Sequence, residues 1–147
     1  MSMEDPAPVT KIEELLQTPY WIIDVLPAQV PEGSPGQYFA VEKHLRKGQM
    51  AVIRQKHANV VLKLNCYRDL ELDGEKNPDP ARIAEAIMKR ETYIMAGCAM
   101  FLSEPDDTHM TLFNPDPELL GLVKAISSSE GLFVWKPYNS RPDKNGG

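Results

Sequence analysis

The chain has 147 residues, 42% of them hydrophobic and 25% charged, and a net charge of −5. That length suits one domain that buries roughly 68–70% of the surface its unfolded chain exposes, so neither a disulfide nor a metal is needed to hold a core. No apolar run approaches a membrane span, the acidic, Pro-rich start MSMEDPAPVTK lacks the pattern of a secretory signal, and two cysteines are too few for a disulfide framework.

The expectations are therefore a cytoplasmic location and no membrane partner. Cys66 and Cys98 both fall in apolar stretches, where a free thiol acts as a small hydrophobe. Residues 1–9 and 138–147 lack periodicity and read as disordered ends around a single domain at 10–137.

The first expected element is a short helix. Thr10 and Glu13 form a capping box, Ile12, Leu15 and Leu16 share a face, and Pro19 terminates it. YWIIDVL follows as a strand. Alternation with Trp21, Ile23 and Val25 sets Asp24 on a wet face; the other option is an ion pair with Arg68. After the loop PEGSPG, Ser34, Pro35 and the spacing of Tyr38, Val41 and Leu45 predict a helix stopped near Gly48. MAVI at 50–53 fits a strand or a helical turn equally.

In LKLNCYRDLELD, Leu62, Leu64, Cys66, Leu70 and Leu72 alternate with Lys63, Asn65, Tyr67, Asp69, Glu71 and Asp73. This predicts a strand with one wet face, broken at Arg68. On that reading Leu64 is core and Asn65 tolerates replacement.

DGEKNPDP is a turn, and Asp79 with Pro80 starts a helix that turns Ile83, Ala84, Ile87 and Met88 inward. TYIMAGCAMFL reads as one central strand. EPDDT is a turn, and HMTLF returns as a partner strand. Asn114 or Asp116 caps a last helix with Leu119, Leu122, Val123 and Ile126 as its stripe. Gly131 opens the strand LFVW, closed by Pro137. The resulting class is α+β: a single domain with an antiparallel or mixed sheet of about five strands packed against three or four helices.

Motifs that carry chemistry are scarce. SEPDDTHMTLFNPDPELL crowds Glu104, Asp106, Asp107 and His109 together, but the calcium-loop register fails. Counting from Asp107, the sixth position is Leu112, where glycine is required. A hairpin turn leading to a capped helix explains these residues better. His44, His57 and His109 form no zinc-protease pair, and no CxxC, nucleotide-loop or hydrolase signature occurs. AGCAM is too apolar to activate Cys98.

No catalytic residue, cofactor or metal is therefore assigned. Asp24, Arg68 and His109 are the one dispersed polar cluster that a small enzyme or ligand-binding domain would use. Lys43, Arg46, Lys47, Arg54, Lys56 and Lys63 form an acid-free run. Of the 16 basic residues, ten remain outside it against all 21 acidic ones. Such a run suggests an anion or partner surface or one solvated helix face. It lacks interleaved aromatics, since Tyr38 and Phe39 fit a helix core, and nucleic acid is disfavoured.

At TPYWIIDVLP, LKLNCY and SEPDDTHMTLFNPDPELLGLVK…GLFVWKP the chain resembles a family of small uncharacterised bacterial proteins. The resemblance implies a stand-alone domain of a bacterial cytoplasm and transfers no activity. With catalytic motifs missing, the leading expectation is a non-enzymatic protein–protein interaction domain of adaptor, inhibitor or immunity type. Another protein is its expected partner, with homo-oligomerisation open.

Overall fold

A computed structural model describes residues 8–138. The expected loose ends fall mostly on 1–7 and 139–147, outside the described residues. Pro8 and Val9 are already helical, so Thr10 lies inside the first helix instead of capping it.

The described residues form five helices and seven strands, in chain order α1 (Pro8–Leu15), β1 (Tyr20–Asp24), α2 (Tyr38–Gly48), α3 (Met50–Leu64), β2 (Glu71–Leu72), β3 (Glu75–Lys76), α4 (Pro80–Lys89), β4 (Thr92–Ala96), β5 (Ala99–Ser103), β6 (Met110–Phe113), α5 (Pro117–Ser129) and β7 (Phe133–Trp135). The strands form one antiparallel sheet in the order β3-β2-β4-β5-β6-β1-β7. The α+β class holds, with more strands and helices than expected. The additional strands are β3 and the second strand of the β4–β5 pair; β2 and β3 are only two residues long.

Side chains directly opposite in a sheet share a face. Ile94, Phe101 and Leu112 lie in one such row, and Ile23 and Met110 in the next. They form the main core with Val61 and Leu64 of α3, Ile83 and Ile87 of α4, and Leu119 and Val123 of α5. Met100 and Phe113 belong to the opposite face, where Leu15 of α1 covers them. Phe101 alone, fully buried, keeps about 1.5–3 kcal/mol of side-chain surface free energy out of water.

The strand expected over 62–72 is overturned. Leu62 and Leu64 end α3, and Asn65 is its C-cap. The governing period begins earlier: Ile53, His57, Val60, Val61 and Leu64 are buried at helical spacing. MAVI is thereby helical, and only Glu71–Leu72 is strand. Leu64, Leu70 and Leu72 are core, as expected, while Cys66 is exposed.

Asn77 holds the segment after α3 in place. Its Oδ1 accepts from Asn65 Nδ2 (2.9 Å) and Leu70 N (3.0 Å), and its Nδ2 donates to Asp69 (2.9 Å). Its backbone is left-handed, at φ 49°. Asp73 and Gly74, at φ 54° and 84°, make the tight β2–β3 hairpin, as Asp-Gly pairs do.

TYIMAGCAMFL is also two strands instead of one. Ala96 pairs with Ala99 across a Gly97–Cys98 turn, with Gly97 at φ 65°. Glycine at the first central position of a two-residue loop suits a hairpin. Cys98 is consequently an exposed turn residue, not a core hydrophobe.

Of the expected helix starts, those of α4 and α5 agree with the sequence, whereas α2 begins at Tyr38 after Gln37, with no side-chain cap, and not at Ser34–Pro35. Asp79 accepts from Ala81 N (2.8 Å), and of the two candidates for α5 it is Asp116 that caps, accepting from Leu119 N (2.7 Å). Asn114 instead donates to the Cys98 carbonyl at 3.0 Å.

Candidate functional site

The polar residues singled out in the sequence divide between the two ends of the sheet. Arg68 is 3.9 Å from Glu118 at the start of α5, the end at which β6 leaves the sheet. Asp24 ends β1 beside the start of β6, where Ile23 pairs with Met110. His109 is near enough to Asp24 for its charge to act on the carboxyl. Asp24 and His109 are thus brought together, and Arg68 is not.

Asp24 does lie on the face opposite Trp21 and Ile23, as alternation requires, yet it is not wet. It is 9% exposed. The segment after β1 crosses it, and Leu26, Gln29, Val30, Tyr38 and Trp135 surround a cavity of about 210 Å³ that Asp24 also lines. Burial raises its carboxyl above the ordinary range, against the Val25 N–H bond (2.7 Å), the His109 charge and the Leu26 amide. Among the described residues Asp24 has no ion pair. Trp135 Nε1 donates to the Leu26 carbonyl at 3.0 Å, which fastens β7 to the same segment.

The basic run does not form one surface. Arg54 is 2% exposed and serves the interior: its guanidinium donates to the carbonyls of Glu104 and Ile87. It thereby ties α3 to the β5–β6 loop and to the end of α4. Lys63 is 2.6 Å from Glu130, and Lys56 lies close enough to act on the same carboxyl. Burial would raise Glu130, but the bonds from Lys63 and Asn59 and the two lysine charges hold it below its usual value. Arg46 reaches Glu42 (3.3 Å) and Asp107 (3.7 Å). Lys43 and Lys47 make no ion pair among the described residues.

The β5–β6 loop carries the crowded acids. Asp107 N donates to the Glu104 carbonyl (3.1 Å), so the turn reading of this stretch holds. Glu104 is pushed up to about 7, mainly by its hydrogen bond with Asp107, then by burial and by the Asp107 and Glu91 charges; Arg54 opposes the shift. One proton shared by two carboxyls relieves like-charge repulsion. Among the described residues no group of three or more His, Cys, Asp or Glu side chains converges as metal ligands.

Beneath the loop, His57 of α3 is fully buried, and neither ring nitrogen has a hydrogen-bond partner in good geometry, the Thr108 backbone being near but poorly aligned. Burial, then the charges of Arg54 and His109, lower it to about 3, with the Thr108 backbone acting the other way. It is a neutral imidazole at pH 7.

Helix α2 is the largest departure from expectation. Tyr38 and Phe39 fit a helix core in the sequence, yet none of the eleven residues is buried. Phe39 is 81% and Val41 46% exposed. Glu42 and Leu45 turn partly inward, and Tyr38 bonds Glu42 at 3.2 Å. The available signal lay in composition: five of the eleven positions are Glu42, Lys43, His44, Arg46 and Lys47, which leaves too few apolar residues for a buried stripe. No family profile, curated protein or solved structure matches the chain.

Proposed function

We propose that the chain is a non-enzymatic protein-interaction domain, of the adaptor, inhibitor or immunity kind, that docks its partner on the outer face of α2. One observation carries this reading: α2 buries none of its eleven residues while presenting Phe39 and Val41 to solvent. A helix of that length is marginal in isolation, and most helices in proteins gain their stability by packing an apolar face. Here that face is turned outward, beside Lys43 and Lys47. The partner that fits is a protein surface with an apolar centre and an acidic rim. The apolar centre supplies affinity, and the rim charges supply steering. A bacterial cytoplasmic setting is part of the same proposal.

The test compares the wild type with Phe39→Asp/Val41→Asp. Neither position is buried, so the variant should melt within about 2 °C of the wild type, as surface changes usually do. Proteins captured from the source cell by the wild type should be lost by the variant, and a purified candidate should bind only the wild type. A partner that binds both chains equally would refute docking through α2. Concentration-dependent dimerisation abolished by the same variant would make the partner a second copy of this chain.

A further inference from the structure

Two adjoining cavities open beside the N-terminus of α2. The smaller is the one Asp24 lines. The larger, about 600 Å³, is bounded by the turn at 31–34, by Tyr38 and Phe39, and by Tyr138, and Gln29, Val30 and Tyr38 line both. The walls are built, not incidental. Ser34 N donates to the Pro31 carbonyl (3.2 Å) across Gly33, whose φ of 84° only glycine adopts freely. Gln29 Oε1 accepts from Tyr138 N at 2.6 Å.

The charges lining these cavities have one sign. Among the described residues, Asp24 and Glu32 are the only carboxyl groups that line these cavities, and no lysine, arginine or histidine does. A carboxyl buried to this degree, with no ion-pair partner among the described residues and only the more distant His109 charge to offset it, is costly unless something compensates it. Its hydrogen bond from Val25 occupies Oδ1 and leaves acceptor positions on a group with about four. Aromatic rings line the same space, and ring faces attract cations.

We propose that the two cavities form a binding site for an organic cation, an ammonium or guanidinium group on an apolar stem. Asp24 is its counter-ion, and Tyr38 and Trp135 are its aromatic walls. The combined volume suits a small ligand or one long side chain. The stem would lie along Val30, Tyr38 and Phe39, with the head group at Asp24. This site shares Phe39 with the α2 surface but goes beyond it, because Asp24 and Trp135 belong to the cavities alone and Val41, Lys43 and Lys47 line neither.

The test follows the Trp135 indole N–H by NMR in the full chain, with Trp21→Phe used to assign the signal. The probes are n-butylguanidinium, its neutral isostere n-butylurea, and a blocked tripeptide with a central arginine beside the same peptide with citrulline. Either cation should shift the Trp135 signal saturably, and its neutral counterpart should not. Tighter binding by the peptide identifies a partner's side chain as the source, and tighter binding by butylguanidinium identifies a free small molecule. Asp24→Asn should weaken cation binding roughly tenfold, the scale of one charge-assisted hydrogen bond. If that variant does not fold, Tyr38→Leu, at a position near the surface, should still weaken binding by about threefold. Equal shifts from cation and neutral isostere, no shift from either cation, or undiminished binding in the folded variant would overturn the site.

Discussion

His57 offers an unusual expectation: removing a buried polar residue should stabilise this protein. The ring is 0% exposed, and neither nitrogen has a partner in good hydrogen-bond geometry; the Thr108 backbone lies close enough to act on the ring but does not form a well-aligned bond. A neutral imidazole carries one N–H donor and one acceptor, and each group left unsatisfied costs about 1–3 kcal/mol. Leucine has nearly the same volume and no polar atom. Allowing for imperfect repacking, His57→Leu should gain about 1–2 kcal/mol at pH 7.5. For a chain of this size that is a rise of roughly 3–8 °C in Tm. The pH dependence is the sharper part. The unfolded chain takes up a proton near 6.5, whereas the folded chain holds His57 neutral down to about 3. Below 6.5 the unfolded state therefore binds more protons, so this group's stability is intact above 6.5 and is lost as pH falls toward 3. The loss reaches about 5 kcal/mol at the lower end. Urea unfolding of both chains at pH 7.5, 5.5 and 4 isolates the residue, since other titrating groups are shared. The advantage of the variant should widen at each step. A variant less stable at pH 7.5, with a gap that does not change on acidification, would mean that the imidazole nitrogens are satisfied in solution and the reasoning fails.

Glu104 should behave with the opposite sign. Its folded value near 7 exceeds the ordinary 4.5, so the folded state binds the extra proton between these values, and the pair's contribution is full below 4.5 and lost as pH rises through 7. Glu104→Gln keeps the neutral form and should exceed the wild type by on the order of 1 kcal/mol at pH 8, after allowance for solvent screening, and by nothing at pH 4.5; thermal melts across that window check it. Asn77→Ala removes three side-chain hydrogen bonds and forces alanine into a left-handed backbone, and should cost about 2–3 kcal/mol in urea unfolding. Asn77→Gly keeps the backbone freedom and should recover part of that loss. Leu64→Asp, a charge in the core, should abolish cooperative unfolding. Asn65→Asp, which loses donors to Arg68 and Asn77, should cost about 1–2 kcal/mol, where an outer strand position would have been indifferent.

What was legible in the sequence follows from how local the signals are. Asp79 and Asp116, each followed directly by proline at the first helical position, read correctly because a cap is a contact within three residues, whereas Thr10 and Ser34–Pro35 carry similar local signals and do not start their helices. The turn at Glu104–Asp107 and the return of β6 read correctly for the same reason. Leu62 to Leu72 misled because two elements meet there. The end of a helix, a turn and a two-residue strand happened to place leucines at even spacing, and the helical period upstream of Leu62 was the stronger pattern. The Gly97–Cys98 turn was hidden inside an apolar run whose single cue was one glycine. The candidate site was least legible. Burial of Arg54 and Asp24 depends on which distant segment crosses them, and no spacing within α3 or β1 encodes that.

The separation of the two ends of the sheet bears directly on function. At the Arg68 end, Arg68 finds Glu118 and the asparagines at 65 and 77 satisfy each other and Leu70. These polar groups are satisfied within the fold. At the Asp24 end the chain tolerates, among the described residues, a buried carboxyl without an ion pair, an imidazole without a well-formed hydrogen bond, two coupled carboxyls, and a helix that buries nothing. Each is a stability cost, and random drift would not be expected to gather them around the ends of β1 and β5. Natural chains meet the local rules of folding nearly everywhere and break them where a site requires it. On the two proposals, binding offsets the cost at α2 and Asp24, when an apolar partner covers Phe39 and a cation meets the carboxyl. By that reasoning the two proposals concern neighbouring parts of one functional end, and the well-satisfied Arg68 end is scaffold.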